Sequence, residues 1–192
     1  MNGDPQRLLG VVLCGGRSIR MGRDKAELRT PGGQRFLELA VERLGQVCDD
    51  VCISGGHHRT TQQVLIADPV ESHGPISGLV ASLDHALENG FQACVFNPID
   101  TPHLTAETLR SLVATYRSHR NEIICAVAGP QSGHLEPLIA VYPVVVADVF
   151  RNAIKRGTYG LQRILAEQDC VRVILPAHVC RNFNTPSDLT EL

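Results

Sequence analysis

The chain has 192 residues, 43% of them hydrophobic and 20% charged, with a formal net charge of −2 at pH 7. This length suits one hydrophobic core, since two halves would each approach the lower limit for independent folding. The nearly balanced charge argues against a basic surface that binds nucleic acid or an anionic membrane. No run of apolar residues reaches the length of about 18 that a membrane span needs, and residues 1–7 are polar and lack the apolar segment of a signal peptide. We therefore expect a cytoplasmic protein of one domain, residues 1–192.

The seven cysteines form an odd set without a C-x-x-C pair, which predicts neither a disulfide framework nor a zinc site. Most of them lie in apolar, strand-like runs, where a reduced cysteine behaves as a small buried hydrophobe. Cys14 differs because it lies in a glycine-rich loop, but no base stands beside it in the sequence to activate it. We expect reduced thiols throughout.

Short apolar runs alternate with segments of helical period along the chain. Residues 8–13 are predicted to form a strand, because the run is too short and too β-branched for a helix. Residues 36–47 follow as a crossover helix, since Phe36, Ala40 and Leu44 recur on one face. The later predicted elements are, in chain order, strands 51–54 and 64–67, helix 76–88, strand 93–96, helix 106–116, strands 122–128 and 137–141, a helical region 144–168 broken near Gly157, and strand 170–175.

This alternation is typical of β-α-β units around a sheet that is buried on both faces. Residues 129–133, Gly-Pro-Gln-Ser-Gly, form a turn signal between two strands, which are therefore expected to pair antiparallel. The fold class is α/β. We expect a Rossmann-like three-layer domain with a mainly parallel, mixed central sheet and helices on both faces.

The segment from Leu13 to Lys25 follows the first strand and contains three glycines, three arginines and a lysine. Glycines let a backbone approach a ligand and present its N–H groups, and cations neutralise phosphate oxygens. Because open α/β sheets bind ligands at the carboxyl ends of their strands, this loop is predicted to bind a triphosphate. Its spacing matches neither a P-loop nor G-x-G-x-x-G, and a solvated basic turn is the alternative.

Two further clusters follow predicted strands. Asp100 comes directly after the strongest central strand, where a carboxylate is placed to bind Mg²⁺; the alternative is an ordinary Asp-Thr-Pro turn. Asp68 precedes a Gly-Pro segment in which Gly74 and Gly78 permit a base or ribose to approach closely, unless this is a simple turn. The histidines show no metal-ligand spacing.

Taken in order, these segments resemble the molybdenum cofactor guanylyltransferases, within the nucleotide-diphospho-sugar transferase-like group. The resemblance covers nearly the whole chain. The motif that begins at Leu13 indicates the wider group by itself, and its combination with the motif that begins at Asn182 is more specific. The motifs are Leu13-x-Gly15-Gly16-x-Ser18-x-Arg20-Met21-Gly22-x-Asp24-Lys25, Asp68 before Gly74-Pro75-x-x-Gly78, Asp100-Thr101-Pro102-x-Leu104, Glu136-Pro137-Leu138-Ile139-Ala140-x-Tyr142 and Asn182-Phe183-Asn184-Thr185-Pro186-x-Asp188-Leu189.

The resemblance implies a role for each matching residue. Residues 8–104, approximately, would bind mainly the nucleotide, and residues 105–192 mainly the acceptor. Asn182 and Asn184 would line the pterin side of the cleft, and Mg²⁺ would bind Asp100. Lys25, Arg20 and Asp100 would be catalytic. The expected nucleotide-binding residues are Leu13, Cys14, Gly15, Gly16, Lys25, Asp68, Gly74, Gly78 and Asp100.

The resemblance also bears on the base. Guanylyl enzymes carry L-A-G-G and T-P-x-L where the related cytidylyl enzymes carry L-A-A-G and a Gln-Pro element. This chain has Gly15-Gly16 and Thr101-Pro102-His103-Leu104, as guanylyl enzymes do. It departs from the pattern at Cys14, which replaces alanine, and at Ser54-Gly55-Gly56, where the family often has an asparagine that contacts GTP.

The implied reaction is transfer of GMP from GTP to molybdopterin, with release of pyrophosphate. Proteins that supply molybdopterin and molybdoenzymes that receive the product are the implied partners. A transferase of the same group that uses another base or acceptor, such as cytidylyl transfer or a sugar phosphate, is the nearest alternative. A non-catalytic nucleotide or cofactor carrier is the alternative of another class, although it would not need a metal ligand beside a triphosphate loop.

Overall fold

A computed structural model describes residues 7–14, 25–55, 62–67, 73–131, 133–183 and 188. Its strands are β1 (Leu8–Leu13), β2 (Asp50–Ser54), β3 (Val64–Ile66), β4 (Ala93–Pro98), β5 (Ile123–Ala128), β6 (Leu135–Pro143) and β7 (Cys170–Leu175). Its α-helices are α1 (Phe36–Gly45), α2 (Pro75–Glu88), α3 (Ala106–Ser118), α4 (Ala147–Lys155) and α5 (Leu161–Leu165). Short 3-10 helices lie at Lys25–Glu27, Val144–Val146 and Ala177–Cys180.

The strands form one seven-stranded sheet in the order β3-β2-β1-β4-β6-β5-β7. β6 runs antiparallel to both of its neighbours, β4 and β5. All other neighbours are parallel. The predicted mixed, mainly parallel sheet is confirmed, as is the antiparallel pair on either side of residues 129–133.

The core lies on both faces of this sheet, and each face has its own helices. One cluster packs α1 and α3 against the sheet, and we call its side the α1/α3 face. The other packs α2, α4 and α5, on what we call the α2/α4 face. Strands β1 and β4 are buried along their whole length, because both of their faces meet helices. The predicted layers of helices on both faces are confirmed.

Strand β6 departs from a regular ladder. Cys125 of β5 pairs with Ala140, but the next residue, Ala126, pairs with Glu136, so residues 137–139 of β6 bulge out between the two pairs. Pro137 fits this bulge because it has no N–H to give to a ladder. The buried hydroxyl of Tyr142 donates a hydrogen bond to the Pro137 carbonyl at 2.7 Å. The predicted strand 137–141 was therefore too short, since β6 extends across the bulge to Leu135.

Two other segments add detail to the prediction. Residues 26–28 fold back on α1: the Phe36 N–H donates to the Leu28 carbonyl at 2.8 Å, and Ala26 and Leu28 are buried. The helical region 144–168 divides into α4 and α5, and Gly157 between them has a φ of +71°. The predicted break near Gly157 is confirmed.

All seven cysteines are free thiols in the structure. Among the described residues, none of the helices combines the length and the apolar character that crossing a membrane requires.

Gly78 lies inside α2 where this helix crosses β1 and β2. A Cβ at this position would lie 2.9 Å from the Ser54 hydroxyl oxygen and 3.2 Å from Cδ2 of Leu13. Gly78→Ala should therefore lower the free energy of unfolding by about 1–3 kcal/mol, measured by urea denaturation, because the core must shift. Gly45→Ala is the matched control: a Cβ there meets nothing within 4 Å, and alanine favours a helix. Equal or greater stability of the Gly78 variant would contradict this packing argument.

Candidate active site

The carboxyl ends of β1, β2 and β4 meet at one edge of the sheet. The Cys14 N–H donates to the Ser54 carbonyl at 2.9 Å, which continues the pairing of β1 with β2 beyond the ladder. The Ile99 N–H donates to the Leu13 carbonyl at 3.3 Å and joins β1 to the segment after β4. Two predicted binding residues, Leu13 and Cys14, thus lie beside the segment that carries Asp100.

The segment after β4 is held by hydrogen bonds from both sides. The Thr101 hydroxyl lies 2.9 Å from the Pro98 carbonyl and 3.2 Å from Oδ1 of Asn97. Arg43 of α1 donates from Nη2 to the Pro102 carbonyl at 2.7 Å. Since Thr101 is only 2% exposed, this turn is an extension of the core, and it gives Asp100 a fixed backbone position.

Asn97 is a polar residue at the end of the buried strand β4. It is 1% exposed, and within the described part of the chain its Nδ2 has no hydrogen-bond partner. Asn97 pairs in register with Val12, which belongs to the core on the α1/α3 face. No role is predicted for Asn97 from its sequence context. A buried amide without a partner is costly, and such groups concentrate at functional sites; a polar residue ending an otherwise apolar strand was the signal available in the sequence.

The start of α2 reaches the same edge. Gly74 has a φ of +81°, which requires glycine, and Pro75 takes the first helical position. Gly78 touches the end of β2, because its carbonyl accepts from the buried Ser54 hydroxyl at 3.3 Å. Ser54 begins the segment that departs from the resembled pattern, and its side chain bonds within the protein. Gly78 also lies close to Leu13, so the close packing at this position favours a residue without a side chain.

The C-terminal segment joins the site from the opposite side. The Phe183 N–H donates to the Asp100 carbonyl at 2.8 Å. The buried Phe183 ring meets the His103 ring edge-on, with centroids 5.2 Å apart. Burial, together with the charges of His178, Arg43 and Arg181, lowers the pKa of His103. Asn182 precedes Phe183 and is exposed, so the structure places its backbone beside the Asp100 turn.

Several predicted site residues cannot be located in this arrangement. Gly15, Gly16, Arg20, Asp68 and Asn184 lie outside the described residues. Lys25 begins the 3-10 helix Lys25–Glu27, and its backbone alone is described. The geometry of the site therefore rests on Leu13, Cys14, Gly74, Gly78, Asp100 and Asn182.

Comparison with known proteins places this arrangement in a family. Residues 10–173 match the family described as "MobA-like NTP transferase domain". A Rhodopirellula baltica protein named as a probable molybdenum cofactor guanylyltransferase is 37% identical, over 96% of this chain and 91% of its own. A molybdenum cofactor guanylyltransferase from Rhodopseudomonas palustris is 32% identical, over 98% of this chain and 92% of its own.

The chain belongs to the MobA-like NTP transferase family. The resemblance found in the sequence is thereby confirmed, and the chain is an enzyme of the nucleotidyltransferase class.

Solved structures agree on the fold of this MobA-like chain. The molybdopterin-guanine dinucleotide biosynthesis protein A from Archaeoglobus fulgidus superposes with a TM-score of 0.75 over 95% of both chains, at 24% identity. A 4-diphosphocytidyl-2C-methyl-D-erythritol synthase from Anaerococcus prevotii superposes with a TM-score of 0.70 over 98% of this chain and 97% of its own, at 8% identity. The α/β fold with its mixed sheet is therefore shared well beyond sequence similarity.

The donor set of the MobA-like site fits Mg²⁺. Among the described residues, no three His, Cys, Asp or Glu side chains cluster as a complete metal site. Mg²⁺ needs no such cluster, since it commonly binds one or two carboxylates, substrate phosphates and waters. Asp100, partly exposed at the carboxyl end of β4, offers one carboxylate at the edge where a triphosphate is expected.

Glu136 is a further residue at this edge, for which no role was predicted beyond its place in a motif. Because β6 is antiparallel to β4, its first residues lie at the same edge as Asp100. Burial raises the pKa of the Glu136 carboxyl, and the nearby His134 opposes this only in part. The available signal was a glutamate directly before Pro137, because proline in a strand stands at its first residue, on an edge strand or at a bulge.

The raised pKa makes stability depend on pH with a definite sign. The folded protein binds a proton at Glu136 more tightly than the unfolded chain, so this group lowers stability as pH rises from the unfolded pKa, about 4.3, through the higher folded pKa. Glu136→Gln should therefore raise Tm at pH 7.5, and the gain should shrink toward pH 4.5, as measured by thermal denaturation across that range. Exposed Glu122→Gln removes the same charge at the other edge of the sheet and serves as the control. A gain at pH 4.5 as large as that at pH 7.5 would refute the assignment.

Proposed function

We propose that the chain transfers the GMP moiety of GTP to molybdopterin, forming the guanine dinucleotide cofactor and releasing pyrophosphate. A phosphate of the acceptor attacks the α-phosphorus of GTP, and the bond to the leaving pyrophosphate breaks. The attacking phosphate is already an anion, so the reaction needs no covalent enzyme intermediate. Catalysis then consists mainly of alignment and charge neutralisation.

The observation that carries the proposal is the position of the turn containing Asp100. On one side, the Ile99 N–H bonds to the carbonyl of Leu13, where the glycine-rich loop begins. On the other side, the Asp100 carbonyl accepts from Phe183, next to Asn182. A residue tied to both segments is suited to a reaction between two bound substrates. A carrier that binds only one ligand would not require this double connection.

The residues of the two segments have separate roles in the proposal. Lys25 and Arg20 bind phosphate oxygens and offset the negative charge that builds up on the leaving pyrophosphate. The amides of Gly15 and Gly16 donate to the nucleotide, and Asp68 accepts from its ribose or base. Asn182 and Asn184 orient the pterin. Asp100 would hold Mg²⁺, which would supply positive charge to the phosphates.

The choice of guanine rests on Gly15-Gly16 and on Thr101-Pro102. In the structure, Thr101 is buried and bonded to the end of β4, so its own side chain fixes the turn.

Proteins that deliver molybdopterin and molybdoenzymes that take up the product are the proposed partners, and the cytoplasm is the proposed location.

Nucleotide choice tests this function. Purified protein with molybdopterin, Mg²⁺ and equal concentrations of GTP, CTP, ATP and UTP should release pyrophosphate and form mainly the guanine dinucleotide, detected by chromatography of the products. Preference for CTP would establish cytidylyl transfer instead. Tight GTP binding without any product would favour a carrier.

Replacement of Asp100 tests the metal assignment. Asp100→Ala should lower kcat for GMP transfer by about a hundredfold or more, because the phosphates lose the bound cation. The far-ultraviolet circular dichroism spectrum should be unchanged, since the turn is held through Thr101 and the backbone. EDTA should abolish the wild-type activity, and Mg²⁺ should restore it. Full wild-type turnover in EDTA would remove the metal from the mechanism.

A further inference from the structure

Glu136 faces the acceptor side of the proposed cleft. It pairs directly across from Ala126, and residues so paired project to the same face of a sheet. Ala126 belongs to the core on the α1/α3 face, together with Cys180 and Phe183. The negative charge of Glu136 contributes, after burial, to raising the pKa of Cys180 to about 11. Cys180 stands two residues before Asn182, so the carboxylate lies near the segment that is expected to bind the pterin.

The carboxylate of Glu136 is half-buried, and among the described residues it forms no ion pair with a lysine or arginine. Within residues 133–183 and the other described ranges, no side chain or amide is seen to donate a hydrogen bond to it. His134 is the single nearby group that favours its charged form. Withdrawing a carboxylate from water without such partners costs stability, so a bound ligand that donates hydrogen bonds would offset the cost.

The bulge of β6 fixes the position of this group. Tyr142 is fully buried, and its hydroxyl holds the Pro137 carbonyl at 2.7 Å, next to Glu136. Gln162 of α5 donates to the carbonyl of Leu135, on the other side of Glu136. The backbone on both sides of the glutamate is therefore anchored, as a residue that orients a ligand requires.

The chemistry of the acceptor matches a carboxylate. A pterin carries a 2-amino-4-oxopyrimidine ring, whose ring N–H and amino group are adjacent donors that point the same way. A carboxylate accepts two parallel hydrogen bonds, and bonds to a charged acceptor are stronger than neutral ones. We propose that Glu136 binds this donor edge of the acceptor's pterin and thereby selects and orients the acceptor. This inference rests on the proposed function.

Guanine has the same donor edge, so the two possible sources must be separated. The nucleotide loop begins at Leu13 on β1, whereas Glu136 lies beyond β4 in the sheet order, with β5 and Cys180 as its neighbours. This placement favours the pterin. A role in metal binding is a separate outcome, which would appear as a changed Mg²⁺ requirement.

Steady-state kinetics give the first test. Glu136→Gln keeps the shape of the side chain but replaces one acceptor with a donor, so the KM for molybdopterin should rise about tenfold or more. The KM for GTP and the Mg²⁺ requirement should stay within about twofold of wild type. Glu122→Gln, exposed at the amino end of β5, should behave as wild type. A normal KM for molybdopterin in the Glu136 variant, or a change confined to GTP or Mg²⁺, would overturn the inference.

Direct binding gives a second test that does not depend on turnover. Pterin and lumazine differ in that lumazine has an oxo group in place of the 2-amino group. Wild-type protein should bind pterin about tenfold more tightly than lumazine, by competition or fluorescence titration, and Glu136→Gln should lose this preference. Absence of GMP transfer by the wild type would refute the proposed function alone. Equal pterin preference in both proteins would refute the role of Glu136 whatever the transfer assay shows.

Discussion

The pairing of β1 with β4 in the middle of the sheet is the constraint on which the rest of the molecule depends. Both strands are buried on both faces, so their backbone groups have no water to bond and must pair with each other. Beyond the end of the ladder, the Ile99 N–H donates to the Leu13 carbonyl, and the Phe183 N–H donates to the Asp100 carbonyl. These bonds satisfy the backbone at the sheet edge, and they also bring three distant parts of the sequence to one place.

The two sides of Asp100 are built by different kinds of pairing. On the proposed nucleotide side, parallel strands end together, and their loops emerge at the same edge. On the proposed acceptor side, the antiparallel strand β6 begins at that edge, so residues near its start lie there without an intervening loop. The bulge across Pro137 and the hydrogen bond from Tyr142 then fix the direction of Glu136. The antiparallel strand β6 therefore forms the second side of the proposed two-substrate site.

Most of the fold follows from the sequence, because periodicity and burial agree: β1 and β7 have the predicted bounds, and α1, α2 and α3 begin within a residue of the prediction. For the same reason, the sequence could predict that the candidate site residues Leu13 and Asp100 lie at the carboxyl ends of strands. The β6 bulge and the bond between Phe183 and Asp100 could not, since both depend on contacts between distant segments. Gly78 was interpreted through ligand approach, but its packing against Ser54 appears only in three dimensions.

Near the carboxyl end of β4, two polar groups lack full hydrogen bonding among the described residues: the Asn97 amide and the Glu136 carboxylate. Both residues lie on the α1/α3 face of the sheet, because Asn97 pairs with Val12 and Glu136 pairs with Ala126. A core filled with apolar residues at these positions would be more stable, since each group is desolvated without full compensation. Ligands that complete these bonds bind the folded chain alone, so their binding free energy also stabilises the fold. Substrate binding at this edge can therefore offset the loss in the free energy of unfolding that these two polar groups cause.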